Sequence, residues 1–301
     1  MTMELAATRF VSKPWGAVDL RPWSTFRQNG DTIGELWFQR RDQKAPESAL
    51  LLKLIFTTQP LSIQVHPDDS FARSIGIAHG KAEAWYVLAA KPGAKVALGL
   101  KRQLSSHELR TSIDEGSIAG LVKWHDVEED DVIYVPGGTI HALGAGLVVA
   151  EIQQRSDTTF RLFDFGRQRE LHVDQAVAAA KATPSEPQSS QRRLTDARTV
   201  LVATPEFVFE RIDLTPESNW ALTAEQETWM IIIAGHARIC GKNASVGVVV
   251  FLDVDSTCLE VGSAGLRGLL AYPGSQPDLR LLRLLDAPIN RPPPSATDAH
   301  P

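Results

Sequence analysis

The chain has 301 residues, of which 43% are hydrophobic and 22% are charged, a composition typical of a soluble globular protein with one or two domains. Its formal net charge of -5 argues against a nucleic-acid surface based on general positive charge, so an anionic substrate would need a local basic pocket. No apolar run reaches the length of a transmembrane helix, and Met1 to Arg9 lacks the pattern of a signal peptide. We therefore expect a cytoplasmic protein without nucleic-acid or membrane partners. Cys240 and Cys258 are then expected as free thiols, with one disulfide between them as the alternative.

Short β-rich runs separated by turn signals fill the first half of the chain. The runs are Ala49 to Phe56, Leu61 to Val65, Ala84 to Leu88, Lys95 to Leu98, Val132 to Val135 and Leu147 to Ile152. Pro92-Gly93 and Pro136-Gly137-Gly138 lie between them. Many short strands with such turns predict an all-β barrel or sandwich.

Three segments carry helical signals instead. The segment from Pro67 begins a helix that Asp68 and Asp69 cap, and Ser105 to Glu108 resembles a capping box. The alanine-rich segment Val173 to Ala182 predicts a third short helix.

A polar segment separates the two halves of the chain. Residues 184–191 contain two prolines and three serines and almost no apolar side chain, so we predict a linker at 183–198. Strand-like runs resume after it, which predicts a second β domain at 199–286. The proline-rich end, 287–301, is expected to be disordered.

Four side chains of the first half form a candidate metal-ligand set. Gln64 and His66 are two residues apart and therefore share one face of a strand. Glu83 opens the next aromatic-rich run, and His141 follows a Pro-Gly-Gly turn. Two imidazoles, a carboxylate and an amide oxygen suit zinc or another divalent transition metal. Histidines on barrel strands are often ordinary core residues, but this clustering favours a metal site, and the second half has no comparable set.

Four ordered motifs resemble the class I mannose-6-phosphate isomerases, which are cupin-fold enzymes. The motifs are Leu61 to Asp69, Gly80 to Tyr86, Pro136 to Ala142 and Ser156 to Arg167. The resemblance extends from about Lys13 to Val173. It implies a double-barrel cupin (jelly-roll) with a few short helices. The metal-binding barrel would occupy 1–182, and 199–286 would form a degenerate barrel without metal.

The same resemblance implies a metal-dependent aldose–ketose isomerase. It would interconvert mannose 6-phosphate and fructose 6-phosphate through an enediol, with one Zn²⁺ per chain held by Gln64, His66, Glu83 and His141. Lys81, two residues before Glu83, is a candidate catalytic base whose pKa a nearby metal would lower. The resemblance places Arg161 at the substrate, where its guanidinium would stabilise the enediolate.

The sequence also offers two candidate substrate-binding residues and leaves two alternative functions open. Lys53 lies within an otherwise apolar strand, and Ser62 is a substrate-binding candidate by its position in the motif. The alternative functions are a cupin isomerase of another sugar or sugar phosphate and a non-catalytic sugar-binding regulator. Four tryptophans, Trp15, Trp37, Trp85 and Trp124, either line a sugar pocket or fill the core. The oligomeric state and the identity of the base stay open.

Overall fold

The computed structural model describes residues 2–25, 31–42, 44–187 and 191–285. Within these ranges the chain forms 21 β-strands and four short helices, which confirms the all-β prediction. The predicted disordered tail, 287–301, lies outside the described residues, as do residues 188–190 of the predicted linker.

The strands and helices are numbered in chain order. The strands are β1 (Thr2–Leu5), β2 (Ala7–Ala17), β3 (Ile33–Gln39), β4 (Leu50–Thr57), β5 (Ile63–Val65), β6 (Glu83–Ala90), β7 (Lys95–Leu100), β8 (Val122–Asp126), β9 (Val132–Val135), β10 (His141–Leu143), β11 (Leu147–Gln154), β12 (Phe160–Phe163), β13 (Arg192–Thr195), β14 (Arg198–Ala203), β15 (Phe207–Leu214), β16 (Asn219–Ala224), β17 (Thr228–Ile239), β18 (Lys242–Ser245), β19 (Val249–Asp253), β20 (Asp255–Pro273) and β21 (Leu282–Leu284). The helices are α1 (Asp69–Ser74), α2 (Ser106–Asp114), α3 (Ile118–Leu121) and α4 (Val173–Ala179).

Two antiparallel sheets form the first half. One has six strands in the order β2-β3-β4-β11-β6-β9, and the other has five in the order β12-β5-β10-β7-β8. Together they provide the two-sheet framework of a cupin jelly roll. Ile55, Trp85 and Val87 of the six-stranded sheet pack with Val96 and Leu98 of the five-stranded sheet, so these side chains lie between the two sheets.

The opposite face of the six-stranded sheet packs against the second half. Leu52, Leu54 and Tyr86 lie in one buried cluster with Phe209 and Trp229, which belong to β15 and β17. Because side chains alternate along a strand, β4 and β6 supply this interface with one set of residues and the first-half interior with the other. The second half therefore supports the back of the sheet that carries Glu83.

The remaining strands join a ten-stranded sheet. Some of its strands lie outside the range predicted for the second domain. The N-terminal strand β1 pairs with β19, so Thr2–Leu5 belongs to the sheet of the second half and not to a barrel that starts at residue 1. Strand β13 and the start of β14 also fall within the predicted linker at 183–198. Backbone pairing between segments distant in sequence, which local composition does not report, produces both differences.

Three of the four helices in the described ranges begin where the sequence predicts, and α3 is an additional short helix. Asp68 caps α1 by accepting a hydrogen bond from the backbone N–H of Phe71, and Ser105 and Glu108 form the complete capping box of α2. The predicted helix from Val173 is α4. None of the helices in the described ranges has the length and apolar content needed to cross a bilayer. Both cysteines are free thiols, as expected.

Candidate metal centre

The four predicted ligands converge from two facing sheets. Gln64 on β5 lies directly opposite His141 on β10, and His66 follows β5 immediately. Glu83 is the first residue of β6 in the other sheet. On β5, side chains alternate between the two faces of the sheet. Ile63 and Val65 pack in a different cluster with the helices, so Gln64 faces the opposite side.

The ligand atoms lie close together and away from solvent. Nε2 of His66 is 3.1 Å from Oε1 of Glu83, and Nε2 of His141 is 3.8 Å from Oε2 of the same carboxylate. All three residues are 1% exposed, and one ligand atom of each falls within 4.8 Å of the others. The grouping has the donor types and the compactness of a divalent metal site.

Hydrogen bonds to backbone carbonyls hold both imidazoles in the orientation that metal binding requires. Nδ1–H of His66 donates to the carbonyl oxygen of Thr158, and Nδ1–H of His141 donates to that of Thr139, each at 2.8 Å. The Nε2 lone pairs are therefore directed towards Glu83.

The protonation states of the three buried ligands also suit a metal. Burial, helped by nearby Lys81, lowers the pKa of His66 to about 3, and burial lowers the pKa of His141. Both rings are therefore neutral at physiological pH. Burial alone would raise the pKa of Glu83, but Lys81 and the imidazoles outweigh it and hold this pKa well below its usual range. Neutral imidazole and ionised carboxylate are the forms that bind metal.

Gln64 is the fourth candidate ligand. Its amide Nε2 lies 3.4 Å from Nε2 of His66 and 3.3 Å from Nε2 of His141, while the Ser62 hydroxyl donates to its Oε1. A half-turn of the amide exchanges its nitrogen and oxygen without changing its shape. That rotation presents Oε1 to the two imidazoles as the fourth ligand, so the residues fit a four-ligand site.

Two glycines allow the ligand-bearing segments to pack on one another. A Cβ at Gly80 or at Gly137 would lie within 2.8 Å of the Pro67–Asp68 backbone. The backbone N–H of Gly138 also donates to the carbonyl oxygen of His66 at 2.7 Å. The motif glycines therefore bring the segments that carry His66, Glu83 and His141 into direct contact.

Lys81 reaches the ligand carboxylate. Its Nζ is 3.1 Å from Oε1 of Glu83, and the residue is 6% exposed. Burial lowers the pKa of Lys81, but Glu83 and Glu151 more than offset it, so the protein groups together raise this pKa. The sequence-based expectation of a lowered pKa depended on a bound metal, and the protein groups act in the opposite direction.

A buried carboxylate that the sequence analysis missed lies beside this pair. Oε1 of Glu151 is 3.3 Å from Nζ of Lys53, and its Oε2 accepts a hydrogen bond from Nε1 of Trp85 at 2.9 Å. Burial and the charge of Glu83 raise the pKa of Glu151 to about 7 against the opposing lysines. The sequence signal was an acid inside the apolar run Leu147–Ile152.

The two predicted substrate-binding residues are both buried. Lys53 Nζ donates to Oε1 of Gln153 at 2.6 Å in addition to its ion pair with Glu151, and it lies 4.7 Å from the ring centroid of Trp37. Ser62 is 3% exposed and contacts Gln64. Ser62 therefore lies next to the candidate ligand Gln64, whereas the charged partner of Lys53 is Glu151.

Arg161 shares the ligand face of its sheet. It lies directly opposite Gln64 in the pairing of β12 with β5, so the two side chains project to the same side. Its Nη1 donates to the carbonyl oxygen of Glu170 at 2.6 Å, while its Nε is buried and has no hydrogen-bond partner among the described residues. Burial and the nearby Arg169 lower the pKa of Arg161.

Three cationic side chains cluster around Trp15. Lys13, Arg167 and Arg169 place their charged groups 5.3, 5.6 and 5.0 Å from the indole ring centroid. Asp164 accepts hydrogen bonds from both arginines. Sequence analysis did not single out Arg167 or Arg169, because most arginines are solvated surface charges.

Comparisons with known proteins find related sequences and a similar fold. The chain is 35% identical over 226 residues to a mannose-6-phosphate isomerase of Streptococcus mutans, a match that covers 70% of each chain. It is 35% identical over 170 residues to a second such enzyme of Bacillus subtilis, with 53% of each chain covered. The crystal structure of the mannose 6-phosphate isomerase from Bacillus subtilis superimposes with a TM-score of 0.78 at 23% identity, over 90% of this chain and 100% of that one, which supports the fold. No protein-family model matches the chain.

Proposed function

Because this chain belongs to the mannose-6-phosphate isomerase family, we propose that it interconverts mannose 6-phosphate and fructose 6-phosphate. The reaction moves a proton between C1 and C2 of the sugar through an enediol. The observation that carries the proposal is the convergence of His66, Glu83 and His141 beside Lys81, with Arg161 on the same face. This arrangement combines a metal-ligand set with groups that can transfer protons and stabilise negative charge.

The proposed cofactor is one Zn²⁺ per chain, with another divalent transition metal as the alternative. Gln64, His66, Glu83 and His141 would hold it, and a single carboxylate ligand leaves the site with a net positive charge. When bound, such a cation stabilises negative charge that develops on the substrate oxygens.

We assign proton transfer to Glu151 and Lys81, which lie next to these ligands. Glu151, with a pKa of about 7, can take up and release a proton near neutral pH, which is the property that a general base needs. With its pKa raised by the protein groups, Lys81 is protonated and would donate to a substrate oxygen; it stays our other candidate base only where a bound metal lowers that pKa. Each of these groups is buried, so the exchanged proton is shielded from bulk water.

Arg161 and the cations around Trp15 are assigned to the substrate. Arg161 stays protonated and would donate hydrogen bonds to the enediolate. Arg167 and Arg169 would add positive charge for the phosphate group, while Asp164 holds both guanidinium groups in place by accepting from their Nε and Nη2 atoms. Lys53 and Ser62 remain our candidates for contacts to the sugar.

A coupled assay tests this function. Purified protein with bound metal should isomerise mannose 6-phosphate within a panel of sugar phosphates, lose activity after chelation and regain it with Zn²⁺. Activity on another sugar phosphate alone would favour the first alternative, a cupin isomerase of different specificity. Sugar binding without turnover at full metal occupancy would favour the second, a sugar-binding regulator. The cytoplasmic location remains a prediction.

A further inference from the structure

The segment Gly80-Lys81-Ala82 brings Lys81 to the site from outside any strand. Each of its three backbone N–H groups donates to a partner beyond the segment. Gly80 donates to Oδ1 of Asp69 at 2.8 Å, Lys81 donates to the carbonyl oxygen of Pro67 at 3.0 Å, and Ala82 donates to Oε1 of Gln154 at 2.9 Å. Two of the three acceptors are therefore side chains, which substitution can remove without changing the backbone.

Those two side chains also bond to each other. Nε2 of Gln154 donates to Oδ1 of Asp69 at 3.1 Å, and the backbone N–H of Gln154 donates to the carbonyl oxygen of Ala82 at 3.1 Å. Asp69 is the first residue of α1, and Gln154 is the last residue of β11. We call this pair the Asp69–Gln154 clamp.

Lys81 depends on the clamp more than its neighbour Glu83 does. Glu83 is held in the sheet on both sides, opposite Val135 of β9 and Gln153 of β11. Lys81 precedes β6 and has no ladder partner, so the clamp and the bond to Pro67 fix its backbone. Because its Nζ must reach Glu83 at 3.1 Å, a small backbone shift at residue 81 displaces the ammonium group from the site.

We propose that Asp69 and Gln154 are positioning residues that act on the isomerisation through Lys81, an inference that rests on the proposed function. Their side chains hold the Gly80–Ala82 backbone and contribute no atom to the ligand set. Loss of either should misplace Lys81 while the metal ligands keep their arrangement.

The first measurement separates kcat from KM in variants loaded with Zn²⁺. Gln154→Ala and Asp69→Ala should each lower kcat by about 10-fold or more, the scale of a displacement below 1 Å, and leave KM within about threefold. Asp69→Asn should recover most of the activity, because its Oδ1 can still accept from both Gly80 and Gln154. Gln276→Ala, at an exposed glutamine of the second half, is the matched control.

Combination with Lys81→Ala identifies the residue through which the clamp acts. In the Lys81→Ala background, Gln154→Ala should change kcat by less than about twofold, since the group to be positioned is gone. Metal content and thermal unfolding are measured for every variant. If an alanine variant does not fold, Asp69→Asn provides a variant that should.

The outcomes distinguish this inference from the proposed function. Non-additive losses with full metal content support the clamp. Three results would overturn the clamp: a loss of kcat on Gln154→Ala that is as large in the Lys81→Ala background as in the wild type, loss of metal, or unchanged kcat in the alanine variants. Each would leave the wild type active and the proposed function intact. A wild type that isomerises no sugar phosphate would overturn both.

Discussion

His66 and His141 present their Nε2 atoms to the same carboxylate, that of Glu83, with their ring centroids 4.8 Å apart. Backbone carbonyls of Thr158 and Thr139 fix the two rings by accepting from Nδ1–H. The site is therefore arranged for a cation by the fold itself, which makes its metal dependence directly testable.

We expect one metal equivalent per chain. The double variant His66→Ala/His141→Ala should bind none, because only Glu83 and Gln64 remain of the ligand set. His107→Ala/His236→Ala, which alters two exposed histidines, should bind as the wild type does. Metal analysis after gel filtration is the measurement. Two equivalents in the wild type, or metal retained by the first double variant, would contradict the assignment.

Glu151 should make the stability of the metal-free protein depend on pH. Its folded-state pKa of about 7 lies above the usual value, so the folded state holds a proton that the unfolded state has released. Stability is therefore complete below the unfolded-state pKa and falls as the pH rises through about 7.

Glu151→Gln removes this titration. Relative to the wild type, the variant should become more stable between about pH 5 and about pH 8, by on the order of 1–3 kcal/mol. Thermal unfolding of chelator-treated protein across this range measures the difference. Glu115→Gln, at an exposed carboxylate, should show no such trend. A constant offset between Glu151→Gln and wild type would mean that Glu151 does not titrate in this window.

Arg161 should contribute to the transition state more than to metal binding. Arg161→Ala should keep its metal and near-normal thermal stability while kcat falls by roughly 10²-fold, the scale of one lost donor to a developing oxyanion. Arg161→Lys should restore activity only in part, because an ammonium lacks the planar pair of donors. Arg283→Ala, at an exposed position on β21, is the control. Wild-type turnover by Arg161→Ala would remove this role.

Limited proteolysis should cut first in the predicted linker or in the proline-rich end. Within the linker, Leu100 N–H donates to the carbonyl oxygen of Thr183, and Glu186 forms an ion pair with Lys123. These contacts fasten its first residues to the first half, so we expect cleavage closer to residue 190. Mass analysis of the first fragments locates the cut. Early cleavage within β9 to β11 would be inconsistent with this organisation.

The ligand set was predictable from sequence because strand geometry is regular. Residues two apart share a face, so Gln64 and His66 had to point together, and their order with Glu83 and His141 matched a known family. The helix caps at Asp68 and Ser105 were equally local, since a cap depends on a side chain and a backbone N–H three residues later.

The role of Glu151 could not be predicted in the same way. An acidic residue in an apolar run does not reveal whether its side chain is buried or which groups surround it. Its pKa depends on neighbours from other strands. Lys53 of β4 and Trp85 of β6 become its partners through the pairing of β11 with both strands. The cluster of cations on Trp15 has the same origin, since Arg167 and Arg169 meet β2 only in the folded chain.

By itself, then, the sequence determined the all-β class, the starts of three helices and the four candidate ligand side chains, because strand alternation and capping act over a few residues. Only the tertiary structure decided that β1 pairs with β19, that Lys53 supports Glu151, and that Asp69 and Gln154 hold the segment carrying Lys81. Each of these depends on hydrogen bonds or charges between segments far apart in the chain. Their geometry is set by how whole sheets pair and pack, which no local pattern specifies.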